Sequence, residues 1–250
     1  MERPHILVNI AMTADGKIDS IARKGATISS NRDKARVDGL RASVDAVLVG
    51  GRTLLDEDPK LTVKSAALRA ERLRKGWSEN PAKVGVISEI PATGMRSAPS
   101  GEDIQSKRGS GHIPLQRFLT SGPARVFLIT TGRTTKETLS ELKSLGIILI
   151  VMGKGRVGLK KAFKALYEAG IRTVLVEGGG TLIAELFRLN MVDELTIYVA
   201  AKIFGGRTAP TLADGPGFPP RQAPGLKLVS VEKFDDEGGL LVHYGVEKGA

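Results

Sequence analysis

The amino-acid sequence predicts an α/β fold: a central mixed, mostly parallel sheet covered on both faces by helices, with an antiparallel C-terminal edge. Three observations carry this. Short runs rich in Val, Ile and Leu alternate with amphipathic segments along most of the chain, which is how parallel strands buried on both faces and their crossover helices read. Gly146 and Gly170 stand where two of those helices should end, because glycine accepts the left-handed backbone that closes a helix. Near the C-terminus, two strand-like runs are separated only by Asp235 to Gly239, the pattern of a β-hairpin.

Strands are expected at His5–Met12, Asp45–Gly50, Lys83–Ser88, Ala124–Thr131, Ile147–Met152, Thr173–Glu177, Glu194–Ala200, Lys227–Phe234 and Leu240–Val246. Helices are expected at Asn31–Ser43, Ser65–Lys75, Thr135–Leu145, Leu159–Ala169 and Thr181–Leu189, with Asn31 and Thr134 as N-caps. Pro91 to Pro123 is rich in Gly, Ser, Pro and basic residues and has no sustained periodicity. It is expected to be a long surface loop serving as a lid, an oligomer contact or a partly mobile insertion. No internal repeat or composition shift divides the chain, so residues 1–250 are expected to form one domain.

At 250 residues and 41% hydrophobic content, the chain can bury a large core unaided. It has no cysteine, which excludes disulfides, thiolate nucleophiles, Cys-ligated zinc and iron–sulfur clusters. No metal site is expected. No basic region followed by an apolar run and a cleavage site opens the sequence, and no apolar run approaches the roughly 20 residues a membrane span needs. A soluble, cytoplasmic protein is expected. The net charge of +10, from 37 Lys+Arg against 27 Asp+Glu, concentrates anions. Aromatics make up only 4%, and no helix–turn–helix, zinc-finger or RNP signature is present. Nucleic acid is therefore not the expected partner. A small phosphorylated molecule is, with a non-catalytic basic nucleotide-binding protein as the different-class alternative.

Four segments concentrate polar chemistry. Val174-Leu175-Val176-Glu177-Gly178-Gly179-Gly180-Thr181 is an apolar strand that meets three glycines before a helix. Such a turn either cradles a phosphate against backbone N–H groups or needs glycine only for its backbone angles. It is not the G-x-G-x-x-G dinucleotide fingerprint. Glu177 stands at the carboxyl end of its strand, where open α/β sheets place ligands, and is either a ligand contact or a capping carboxylate. The second segment, Val47 to Lys64, runs from a buried strand through Gly-Gly, Thr53, three consecutive acids and a proline. It reads as a small-molecule site or as an ordinary solvated loop. In the third, Asn9 to Asp19, the amide of Asn9 needs a partner if buried. In the fourth, Leu40 to Ser43, Arg41 either complements a helix dipole or grips a phosphate with its planar fork.

In combination and in this order along the chain, these segments resemble the reductases of riboflavin biosynthesis. The family comprises stand-alone archaeal and fungal enzymes and the C-terminal domain of the bacterial deaminase–reductase. Val192-Asp193-Glu194-Leu195 and Lys202-Ile203-Phe204-Gly205-Gly206 extend the match. The resemblance implies a dihydrofolate-reductase-like α/β/α fold, NADPH as cofactor with NADH as the alternative donor, a phosphorylated ribosylamino-pyrimidine substrate and a homodimer. It implies that Thr53, Glu57, Asp58, Ser88, Gly153, Gly178, Gly179, Gly180 and Thr181 contact the cofactor. Asn9, Ser29, Arg41, Leu61, Lys64 and Glu177 would surround the substrate, with Arg41 and Lys64 on its 5′-phosphate and Glu177 at the reacting centre. Two positions depart from the family. Glu57 stands where an aspartate is usual, with Asp58 beside it, and Lys64 replaces a bacterial-type arginine. The deaminase half of the bifunctional enzymes carries a His-x-Glu and Pro-Cys-x-x-Cys signature. That signature is absent here, so reduction without deamination is expected. His5, His112 and His243 are expected to be structural.

Overall fold

The computed structural model describes residues 2–91 and 115–248; most of the expected loop from Pro91 to Pro123, including His112, lies outside them. Nine strands form one sheet: β1 (His5–Thr13), β2 (Ala46–Gly50), β3 (Ala82–Val86), β4 (Val126–Thr130), β5 (Ile148–Val151), β6 (Thr173–Val176), β7 (Glu194–Ala200), β8 (Leu226–Lys233) and β9 (Leu240–Val246). Their order is β5-β4-β3-β2-β6-β1-β7-β9-β8. From β5 across to β7 every pairing is parallel, and the β8–β9 hairpin adds antiparallel strands at one edge.

Helices α1 (Asn31–Ser43), α2 (Gly51–Glu57), α3 (Ala66–Arg74), α4 (Gln116–Thr120), α5 (Lys136–Ser144), α6 (Leu159–Glu168) and α7 (Gly180–Arg188) lie between the strands. β2, β3 and β4 are buried at every position, as strands covered on both faces must be. Successive side chains alternate between two apolar layers. Leu48, Val84, Val174 and Val176 pack with Phe163 and Leu166 of α6 and Ile183 and Leu186 of α7. Val47, Val49, Leu128 and Leu175 pack with Leu54 of α2, Phe118 of α4 and Leu142 of α5.

The helix starts differ slightly from expectation. Ser30 caps α1 by accepting the Asp33 N–H, and Thr135 caps α5 by accepting that of Thr138. Asn31 is already the first helical residue. The Thr134 hydroxyl is used elsewhere, on Thr130 at 2.7 Å and on the Ile90 N–H at 3.0 Å. Gly146 and Gly170 close α5 and α6 with φ of +77° and +90°.

Two helices were not expected. α2 has only one buried residue, Leu54, so no apolar stripe marks it in the sequence. α4 has five residues and is pinned at both ends by side chains remote in sequence. Asp58 accepts the Arg117 and Phe118 N–H groups at 2.8 Å each. Lys83, wholly buried in β3, donates to the carbonyls of Phe118 and Ser121. Burial pulls the Lys83 ammonium down to about 8, with Asp58 opposing the shift.

Asp193 gathers the ends of the described chain. Its carboxylate accepts Arg3 at 2.6 and 2.8 Å, the Ile6 N–H at 2.8 Å and Lys248 at 2.8 Å. Burial alone would raise its pKa, but Arg3, Lys248 and the Ile6 N–H together hold it well below the usual carboxylate range. A depressed folded-state pKa means that this stabilisation is present at neutral pH and lost as pH falls through the acid range. Asp193→Asn should therefore cost about 3 kcal/mol at neutral pH, with the deficit shrinking below roughly pH 4. Urea unfolding of both proteins at neutral and acid pH checks this; a deficit independent of pH would contradict it.

Candidate active site

Parallel strands end at a common edge, and connections diverging from that edge open a crevice. Here the crevice lies beyond the carboxyl ends of β1, β2, β3 and β6 and encloses about 1360 Å³. Its floor is set by the pairing of β2 with β6. The Gly50 N–H donates to the Gly178 carbonyl at 2.8 Å, and the Glu177 N–H to Leu48 at 3.0 Å. The turn into α2 and the turn into α7 therefore lie side by side. The Gly178–Gly179 peptide is cis.

Two of the three glycines have identifiable reasons. Gly178 has φ +129°, outside the range of L side chains. A Cβ on Gly180 would stand 2.2 Å from the Thr211 carbonyl oxygen, so only glycine lets the 211–218 segment approach. Thr53 of α2 places its hydroxyl 3.2 Å from where a Cβ on Gly179 would stand. Gly179 caps α7 without a side-chain hydrogen bond, which leaves the first N–H groups of that helix free for an anion.

Glu177 lines the crevice, and both of its oxygens are held by Arg41, from Nε and Nη2, at 2.7 Å each. Arg41 comes from the last turn of α1 and also donates to the Thr62 carbonyl at 3.2 Å. Burial pulls the Arg41 pKa down, but Glu177 outweighs it and leaves the guanidinium raised. The fork that the sequence offered to a phosphate is thus engaged by a carboxylate.

The neighbouring acids separate cleanly. Asp58 has φ +42°, and its carboxylate faces α4. Glu57 lines the crevice. Partial desolvation, and then the carboxylates of Asp19, Asp56 and Glu177, push the Glu57 pKa up.

Ser29, Thr53, Glu57, Ser88, Glu177, Gly178, Gly179, Gly180 and Thr181 are brought together around the crevice. The other expected residues lie outside its lining. Asn9 is buried and accepts from Arg36 at 2.7 Å. Leu61 is packed in the second apolar layer, and Lys64 is exposed at the start of α3, where its N–H donates to Asp38. The Gly153 carbonyl accepts from Gly132.

Sequence reasoning gave no site role to the 211–218 segment, the loop from Asp19 to Thr27, or Arg156 and Arg188, all of which contribute to the lining. The turn-forming run Asp214-Gly215-Pro216-Gly217 was the available signal for the first.

A family model for the RibD C-terminal domain matches residues 4–238. This chain belongs to the RibD C-terminal domain family. Its relatives include proteins named 2,5-diamino-6-ribosylamino-4(3H)-pyrimidinone 5′-phosphate reductase. The one from Archaeoglobus fulgidus is 36% identical over 94% of this chain and 94% of its own length. The one from Methanothermobacter thermautotrophicus is 31% identical over 98% and 99%. Among solved structures, a pyrimidine reductase-like protein from Corynebacterium diphtheriae superposes with a TM-score of 0.74 at 19% identity, covering 98% of this chain and 93% of that one. The RibD C-terminal domain family thus brings with it the dihydrofolate-reductase-like arrangement expected from the sequence.

If the Arg41–Glu177 pair is the internal strut its geometry implies, the two residues should be energetically coupled. In a cycle of Arg41→Met and Glu177→Gln, the double variant should lose about 1 to 3 kcal/mol less than the sum of the singles. Chemical denaturation measures this, and strict additivity would contradict the pairing.

Proposed function

We propose that this chain is an NADPH-dependent reductase of riboflavin biosynthesis. It would convert the ribosyl group of 2,5-diamino-6-(ribosylamino)-4(3H)-pyrimidinone 5′-phosphate to ribityl as a single cytoplasmic reductase unit. The observation that carries this reading is the glycine-walled entrance to α7, opening beside Thr53 and Glu177 in one crevice. A Cβ at Gly180 would displace the segment that walls it, so the cradle fits the backbone-bound pyrophosphate of a dinucleotide. The names borne by the Archaeoglobus and Methanothermobacter relatives favour the 2-amino pyrimidine over its deaminated analogue.

Gly178 to Thr181, with Thr53 and Ser88, would hold the cofactor, which supplies hydride when bound. Arg156 adds positive charge along the crevice, whereas Arg188 is paired with Glu185; near Arg156 a 2′-phosphate would distinguish NADPH from NADH. Glu177, fixed by the Arg41 fork, can accept hydrogen bonds from sugar hydroxyls and stabilise positive charge developing at the reacting carbon. The chain's own contribution is chiefly to hold donor and acceptor carbons in near contact.

We also propose that the chain pairs with a second copy through the β8–β9 hairpin. β8 is the outermost strand, and Leu226, Leu228 and Val231 face β9 partners Val246, Tyr244 and Val242 while remaining exposed. An apolar strand edge left open to water favours association.

NADPH oxidation should require the ribosylamino-pyrimidine phosphate and run faster with it than with the deaminated analogue or with NADH. Initial rates with each pair of substrates test this. Turnover of dihydrofolate alone would favour a pterin reductase, and salt-sensitive RNA binding without NADPH binding would favour a non-catalytic protein. Gly180→Ala should weaken NADPH binding at least about tenfold, measured by nicotinamide fluorescence, because even about 1.4 kcal/mol of misplacement suffices. Leu228→Glu with Val231→Glu should convert a dimer to a monomer in light scattering; an unchanged mass would remove the pairing.

A further inference from the structure

The reduction proposed above consumes one hydride and one proton, and Glu177 is poorly placed to give the proton. Its oxygens both accept from the Arg41 guanidinium, so neither is turned to the substrate as a donor. The other crevice acids can be sorted by the same criterion. Asp19 accepts the N–H groups of Ser20, Gly25 and Ala26. Glu185 is held by Arg188, Glu89 by Arg133, and Asp214 by the N–H and hydroxyl of Thr211. Among the described residues, only Asp56 and Glu57 remain as crevice acids without such a donor. Of these two, Glu57 is the one against which the 19–26 loop packs: its carboxyl carbon lies 3.7 Å from where a Cβ on Gly25 would stand.

We propose that Glu57 is the proton donor of the reduction. This rests on the functional reading above. Glu57 sits one turn beyond Thr53 on α2, and both line the crevice, so the acid shares the space in which Thr53 would meet the cofactor. The step balances as follows. The C1′–O4′ bond of the ribosylamine breaks as the nitrogen lone pair forms C1′=N, and O4′ takes the proton from Glu57. Hydride from the reduced nicotinamide then adds to C1′, and the π electrons return to nitrogen. The ribitylamine forms, the nicotinamide is oxidised, and Glu57 is left as a carboxylate to be reprotonated from water.

The charges facing Glu57 suit the task. Asp19 from the loop after β1, Asp56 from its own helix and Glu177 from the end of β6 all disfavour its ionised form. Among the described residues no cation pairs with Glu57, and Arg41 of α1 is paired to Glu177. Losing the proton therefore costs more than usual, and the donor stays loaded at a higher pH than an ordinary glutamate.

With saturating ribosylamino-pyrimidine phosphate and NADPH, wild-type kcat should be flat at low pH and fall as pH rises through the ionisation of Glu57. Glu57→Gln should lower kcat at least about 100-fold and abolish that fall, while NADPH affinity by fluorescence changes less than about threefold, roughly 0.65 kcal/mol. Glu57→Asp should recover part of the rate and keep a pH-dependent limb, and Asp56→Asn should keep that limb but move it to lower pH, because one of the charges that disfavours ionised Glu57 is gone. A Glu57→Gln enzyme with wild-type rate and pH profile overturns the proposal. So does loss of NADPH binding in proportion to rate, which makes Glu57 a cofactor holder, or loss of the pH limb in Asp56→Asn. A wild-type enzyme inert toward the ribosylamino compound would instead sink the functional reading itself.

Discussion

The crevice depends on the parallel pairing of β2 with β6, strands far apart in the chain. Their register, Ala46 to Val174 and Leu48 to Val176, puts two glycine turns in hydrogen-bonding contact through Gly50 and Gly178. Because both strands run the same way, both of their following helices begin at the same rim. α2 then delivers Thr53 and Glu57, and α7 delivers an open helix N-terminus, to a common space. A shift of one residue in this register would turn each buried side chain to the opposite layer, and Leu48 and Val47 belong to different layers. The apolar core therefore guards the alignment on which the chemistry depends.

The electrostatics are more local than the net charge of +10 suggests. Many guanidinium groups are spent on architecture. Arg72, buried, caps the carbonyls of Ala42, Val44 and Ser78. Arg36 joins Asn9 to Asp33, and Arg3 binds Asp193. What remains along the crevice is a mixture of cations and acids, most of them paired. Such a surface attracts anions overall while keeping individual acids under separate control.

Much of the frame was legible in the sequence because it follows from local rules. The range of α1, the glycine ends of α5 and α6, the terminal hairpin and the glycine turn before α7 all lie where periodicity and turn chemistry put them. The failures share a cause, namely interactions between distant segments. α4 exists because Asp58 and Lys83 hold its two ends, and neither is near it in sequence. Whether Glu57 or Asp58 faces the crevice could not be read from adjacency, since the left-handed turn at Asp58 sends one carboxylate outward to α4. Nor could the partner of Arg41 be foreseen, because a fork suited to phosphate is equally suited to a carboxylate delivered by a strand more than a hundred residues away.

The gathering of Arg3, Ile6 and Lys248 on one carboxylate has a topological consequence. Arg3 and Ile6 near one end of the described chain and Lys248 at the other meet on a single side chain, so one acidic group ties both segments to the start of β7. Loss of that one carboxylate would therefore release both segments together.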